Sequence, residues 1–161
     1  DHVDEATRRK IMQSVASKHT KPEMKVRSAA HRLGYRFRVH RRDLPGKPDL
    51  VLPRWRCVVF VHGCFWHRHG QCAKTKIPKS NVEFWLEKFD RNVRRDAAND
   101  AELRARGWRV VVIWQCEVPD VPTAATLFEE RLVAATRRDA QRVNQRAERG
   151  QVARGGKSDI R

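Results

Sequence analysis

The sequence predicts an α/β domain: a mixed β-sheet flanked by helices. Three observations carry this reading. D-L-V-L (49–52) and W-R-C-V-V-F-V (55–61) flank Pro53 and Arg54 and read as a β-hairpin. A long amphipathic segment separates the second strand from another continuous apolar run, W-R-V-V-V-I-W (108–114), so strands 55–61 and 108–114 belong to a right-handed βαβ crossover and are parallel. Helix start and stop signals bracket the remaining segments.

In chain order, residues 4–19 read as a basic helix with Ile11, Met12 and Val15 on one side. T-K-P-E (20–23) is a capping box with proline near the first helical position, and the helix it starts runs to Gly34, with Met24, Ala29, Ala30 and Leu33 as its apolar face. Y-R-F-R-V-H (35–40) alternates apolar and basic, as a strand with one wet face does. R-R-D-L-P-G-K-P forms a loop before the hairpin. Residues 62–80 form a second loop, long enough to suggest function. A helix capped by Ser80 or Asn81 then runs to Gly107, with Val82, Trp85, Leu86, Phe89, Val93 and Leu103 inward. A last helix covers about 123–140. Residues 141–161, rich in Arg, Gln and Gly, read as a basic disordered tail. The expected organisation is an N-terminal helix (1–20), a core domain (21–140) and that tail (141–161).

The 161 residues suit one domain with a real core, and 40% are hydrophobic. Lys and Arg number 35 against 19 acids, a formal charge of +16. Such one-sided charge exceeds what solubility requires and attracts polyanions, nucleic acid first among them. No apolar run is long enough to span a membrane and no secretory h-region is present, so a cytoplasmic protein is expected. The chain starts with Asp rather than Met, so a trimmed or processed N-terminus is expected.

The chemistry concentrates in V-H-G-C-F-W-H-R-H-G-Q-C (61–72). Cys64, His69 and Cys72 are spaced C-x4-H-x2-C, and Cys116 follows the last strand at the same sheet edge. Three cysteines and one histidine make a closed tetrahedral set suited to structural Zn2+, with His67 as the alternative to His69. Cys57 lies mid-strand and reads as a buried thiol. His62 and His67 are left over. Asp49, at the mouth of the hairpin, is suited to Mg2+ in phosphodiester cleavage, and a nearby histidine can deprotonate water. Each residue also has a plainer role: Asp49 as a turn residue, Glu23 as a capping acid, Asp96 as a surface ion-pair partner, Trp85 as core.

L-P-G-K-P-D (44–49), F-V-H-G-C-F-W-H (60–67), E-F-W-L-E-K (83–88), N-V-R-R-D (92–96) and G-W-R-V-V-V-I-W-Q-C (107–116) closely resemble the very short patch repair (Vsr) endonuclease family, from T-R-R-K-I-M (7–12) to about Cys116. The resemblance implies a restriction-endonuclease-like fold and bacterial DNA repair: nicking one strand 5′ to the thymine of T:G mismatches left by deamination of 5-methylcytosine. It implies that Asp49 holds Mg2+ with the Val61 carbonyl, that His67 is the general base oriented by Asp96, and that His62 and Glu23 support the phosphate, water or metal shell. It implies an aromatic wedge of Phe65, Trp66 and Trp85, a residue inserted from the N-terminal helix (Met12), and Lys88 and Asn92 near the mismatched bases. Val61 stands where the best-known family pattern has Thr, a change that a main-chain carbonyl role survives. The zinc loop is one residue longer than the His-rich version, and Phe60, Val61 and His62 occupy the neighbourhood of the fold's usual second-strand acid and lysine. Family members work with the mismatch-repair protein MutL, and a monomer is expected. The competing expectations are a restriction-type nuclease on matched duplexes and a zinc-stabilised DNA-binding module without catalysis.

Overall fold

The computed structural model describes residues 4, 6, 7, 19–70 and 72–155. Most of the helix expected over 4–19, Met12 included, lies outside the described residues, as does the end of the expected tail (156–161).

Helix α1 (Lys21–Arg32) starts at Thr20, whose hydroxyl accepts the Glu23 N–H. Gly34 follows its C-cap with φ +82°, the left-handed geometry that glycine adopts without a Cβ penalty. Strand β1 (Leu50–Leu52) turns through Pro53–Trp55 into β2 (Cys57–His62). The one-turn helix α2 (Cys64–His67) opens the long loop, and helix α3 (Val82–Ala105) closes it. Strand β3 (Arg109–Trp114) precedes helix α4 (Val121–Gly155), whose first turn is held by the Asp120 carboxylate accepting the Thr123 N–H at 2.8 Å.

The sheet has the order β1-β2-β3, with β1–β2 antiparallel and β2–β3 parallel. The register pairs Val61 with Ile113 and His62 with Trp114. Side chains alternate across a strand. Cys57, Val59, Val61, Val111 and Ile113 therefore join one core with Val26, Ala29, Phe128 and Leu132 of α1 and α4. Val58, Val110, Phe60 and Val112 face the other way, towards Leu103 of α3. The same alternation turns His62 and Trp114 to the α3 side, where the candidate site lies.

Four expectations need correction. The segment 35–40 is not a strand: only Arg38 bridges Val51, because the sheet needs just one residue of pairing before the chain leaves for the loop. On α1, Val26 is buried with Ala29 and Ala30, whereas Met24 and Leu33 are exposed, since one helical face takes residues 26, 29 and 30 and excludes 24. On α3, Trp85, Phe89 and Leu103 are buried, but Val82, Leu86 and Val93 are exposed: the sheet covers only the far end of a helix this long. The last helix continues to Gly155, so residues 141–155, expected as disordered tail, are helical; the polar composition marks a helix that leaves the core.

Candidate active site and metal centre

The short helix α2 explains how one segment serves several surroundings. Consecutive side chains on an α-helix diverge by about 100°. Cys64 points inward, Phe65 meets Phe89 with ring centroids 5.0 Å apart, Trp66 lies under the Lys88 ammonium at 5.1 Å, and His67 reaches Asp96. Arg68 ends the turn in left-handed geometry, φ +57°. Its guanidinium bonds the Thr75 carbonyl and sits over Phe89, fastening the loop to α3.

Cys64, His69, Cys72 and Cys116 bring one ligand atom each to within 4.8 Å of one another. His69 Nδ1 lies 3.8 Å from Cys64 Sγ and 3.2 Å from Cys116 Sγ. A tetrahedral zinc has S···N edges of roughly 3.5 Å, from its bond lengths, so the set fits that ion closely. His69 is therefore the histidine of this cluster, and its ring stacks on Trp114 at 4.2 Å. Glu117 holds the turn that carries Cys116: its carboxylate accepts the Trp114 N–H at 2.9 Å and bonds Arg131 of α4. Cys57 stays apart, fully buried, its thiol pushed up to about 12 by burial.

On the opposite side of the loop lies a cleft of about 940 Å3 that gathers Glu23, Asp49, Val61, His62, His67 and Asp96. Asp49 Oδ2 accepts the Val61 N–H at 2.6 Å. Burial, and then the charge of Glu23, push the Asp49 carboxyl up to about 6 against the lowering effect of that hydrogen bond. Glu23 is only 5% exposed and is held by the Thr20 hydroxyl and Arg27. Two carboxylates facing one cleft thus carry negative charge that a divalent cation would neutralise. His62 and His67 stack in parallel, 3.9 Å between centroids. His67 Nδ1 meets Asp96 Oδ2 at 2.5 Å. Burial would raise the Asp96 carboxyl, but the His67 hydrogen bond and the charges of His67, His62 and Arg95 hold it below its ordinary value. Burial first, and the neighbouring His67 second, push His62 down to about 4, so its imidazole is neutral at physiological pH.

Phe65 and Trp66 are half-buried, and Trp66 lines the cleft. Trp85 is 6% exposed and backs both rings at 5.6 and 6.2 Å, so in this structure it supports the pair rather than standing out with it. Its indole N–H is buried without a partner. Phe84 is the exposed aromatic of that turn. Asn92 donates to the Trp66 carbonyl at 3.1 Å. Lys47, Arg95 and Asn99 also line the cleft and were missed in the sequence reading. The first two stand beside acids already singled out, in K-P-D and R-D, and that adjacency was the available signal.

A family model described as DNA mismatch endonuclease Vsr matches residues 1–74. The type II nicking enzyme V.XorIIP of Xanthomonas oryzae pv. oryzae is 53% identical over 121 residues, 75% of this chain and 88% of the relative. V.NmeAIP, a type II nicking enzyme of Neisseria meningitidis serogroup A, is 47% identical, covering 67% and 76%. The DNA mismatch endonuclease Vsr of Escherichia coli is 45% identical over 116 residues, 72% of this chain and 74% of that protein. The protein is thus of the DNA endonuclease class. Within that class the chain belongs to the Vsr DNA mismatch endonuclease family, and its mixed sheet flanked by helices is consistent with the restriction-endonuclease-like fold of that family.

Proposed function

We propose that this endonuclease nicks one DNA strand 5′ to the thymine of a T:G mismatch by Mg2+-dependent hydrolysis. The observation that carries this reading is the His67–Asp96 pair facing the same cleft as Asp49, with Trp66 on the cleft lining and Phe65 packed against it. Asp49 and the Val61 carbonyl would hold Mg2+. That ion, when bound, polarises the scissile phosphate and steadies the leaving oxygen.

The protein's own groups supply the rest. His67 Nδ1–H donates to the Asp96 carboxylate, which leaves Nε2 bare to take a proton from the attacking water. Asp96 also steadies the imidazolium that results. Neutral His62 donates to a phosphate oxygen without the cost of burying a charge. Glu23 braces the water or metal shell. Phe65 and Trp66 enter the duplex where a weak pair opens cheaply, and replace the lost stacking at roughly 1–3 kcal/mol per base. Lys88 and Asn92, beside Trp66, attend the mismatched bases, and Trp85 stiffens the platform. Met12, outside the described residues, would be a further residue inserted beside the mismatch. Zinc held by Cys64, His69, Cys72 and Cys116 has no open position for substrate, so its work is to fix the loop.

The protein works as a monomer in the bacterial cytoplasm. The similar proteins named above come from bacteria, and no described helix is long and apolar enough to cross a membrane. The test is nicking of T:G and C:G duplexes of one sequence in Mg2+, with varied flanks. Cutting of the T:G strand alone is the expected outcome. Equal cutting of both duplexes would instead indicate a restriction-type nuclease, and binding without cutting a DNA-binding module.

A further inference from the structure

Beside the main cleft lies a second, smaller cavity of about 160 Å3, between α1 and the loop before β1. Glu23, Lys47 and Asp49 border both spaces; Arg27, His40, Arg41 and Arg42 belong to the second alone. Nothing in the reaction derived above uses it.

Its charge is poorly compensated. Arg41 pairs with Asp43, and Arg27 pairs with Glu23. Arg42 and Lys47 are exposed and pair with no described carboxylate. Inside, the Arg27 side chain is 11% exposed and its Nε is buried without a hydrogen-bond partner, although its other nitrogens bond His19 and Glu23. That nitrogen is enclosed, so the cations that a ligand in the cavity can reach are Arg42 and Lys47.

The backbone around the cavity is held out of its ordinary range. His40 and Lys47 have φ of +56° and +51°, in the left-handed region that side chains rarely adopt. Gly46, φ +73°, leaves no room for a Cβ, which would lie 2.9 Å from the Asn99 amide and 3.1 Å from the Phe60 ring. The following Pro48 is fully buried. This loop is therefore fixed, and it presents Lys47 on the wall between the two spaces. Strain of this kind persists where the fold over-determines a conformation that function needs.

We propose that this cavity is a phosphodiester subsite that binds the phosphate next to the scissile one on the nicked strand, with Lys47 and Arg42 as its exposed cations. The subsite deepens the nuclease reading above and rests on it. A shared wall at Asp49 makes the occupant the nearest neighbour of the reacting phosphate. The ligand is an anion with several acceptor oxygens, which suits arginine and lysine together. Binding there fixes the register of the strand without reading its bases.

The experiment is a coupling cycle in equilibrium binding, with zinc-loaded full-length protein in Mg2+-free buffer, so that no cutting is needed. Duplexes carry one neutral methylphosphonate at each position flanking the scissile phosphate. Lys47→Gln and Arg42→Gln should each weaken the unmodified T:G duplex about tenfold, as loss of a charge-assisted hydrogen bond does. Each should also lower the salt slope by about one. One flanking methylphosphonate should weaken wild type equally but leave the variants unaffected, and Lys47→Arg should restore the wild-type response. Additive losses at every flanking position, or an unchanged salt slope, would overturn the subsite. Thermal melting of each variant separates misfolding from lost contact. Failure of the nuclease reading would appear separately, as wild-type binding without nicking in Mg2+.

Discussion

The thiolate cluster and the carboxylate–histidine cleft draw on the same short segment, yet their chemistries are opposed. The cluster is closed: three sulfurs and one ring nitrogen converge, and no ligand position is left for substrate. The cleft is open, about 940 Å3, and its donors are the oxygens of Asp49, Glu23 and Asp96 beside two imidazoles. The difference shows how a loop without regular structure can be made a precise platform. One turn of helix sends Cys64 to the buried cluster and His67 to Asp96, so whatever fixes the first fixes the second. On the proposed reading the cluster would contribute rigidity and the cleft reactivity, so a change confined to the cleft should spare the cluster.

The largest effect should come from the cleft. His67→Ala should slow single-turnover nicking of a T:G duplex by roughly 10²–10⁴-fold, the usual range for a general base, with zinc content unchanged. Asp96→Asn should give a smaller loss in the same direction, because the ring keeps a partner but loses a counter-charge.

Disturbing the cluster should do the converse. Cys116→Ala should remove the zinc and lower stability by about 3 kcal/mol, roughly 10 °C in Tm for a chain of this size. Metal analysis and calorimetry check both. A metal-free wild type that melts normally would break the comparison on this side.

A subtler difference concerns the charge on Asp49. Its folded carboxyl keeps a proton to about pH 6, whereas an unperturbed carboxyl releases it near 3.8. The folded state therefore binds more protons between these values, and stability falls as pH rises from about 4 to 6 and stays lowered above. In Mg2+-free buffer Asp49→Asn should accordingly stabilise the protein by up to ~3 kcal/mol at pH 7.5, from the size of that shift, and by almost nothing at pH 4. Chemical denaturation at the two pH values measures this directly.

On DNA binding the expected effect is smaller, and it separates the aromatic residues. Trp66→Ala should weaken T:G binding about tenfold, in line with the loss of one stacking partner, and leave Tm nearly unchanged. Trp85→Ala should instead lower stability by roughly 3–5 kcal/mol, as removal of a buried tryptophan does.

The sequence was most informative where a pattern was dense. Continuous apolar runs marked β2 and β3, and the parallel pairing that follows from a crossover brought Cys116 to the loop after β2. The ligand spacing pointed to the cluster, with His69 preferred to His67 for its shorter bite to Cys72, and the fold brings those four residues together while His67 turns to Asp96. Periodicity misjudged Leu86 and Val93 because it cannot show how far along α3 the sheet extends. The polar stretch after residue 140 carried no apolar signal, yet α4 continues through it. Lys47 stood beside Asp49 in K-P-D, but its place on the cleft wall was hidden for a different reason. Its position depends on left-handed backbone at a non-glycine residue, which no residue type announces.

The most direct test of the division between the two regions measures nicking and zinc content in the same preparation of Asp49→Ala. The account predicts about one zinc per chain, retained binding to a T:G duplex, and no Mg2+-dependent nicking. Nicking at the wild-type rate, or loss of zinc together with activity, would contradict it.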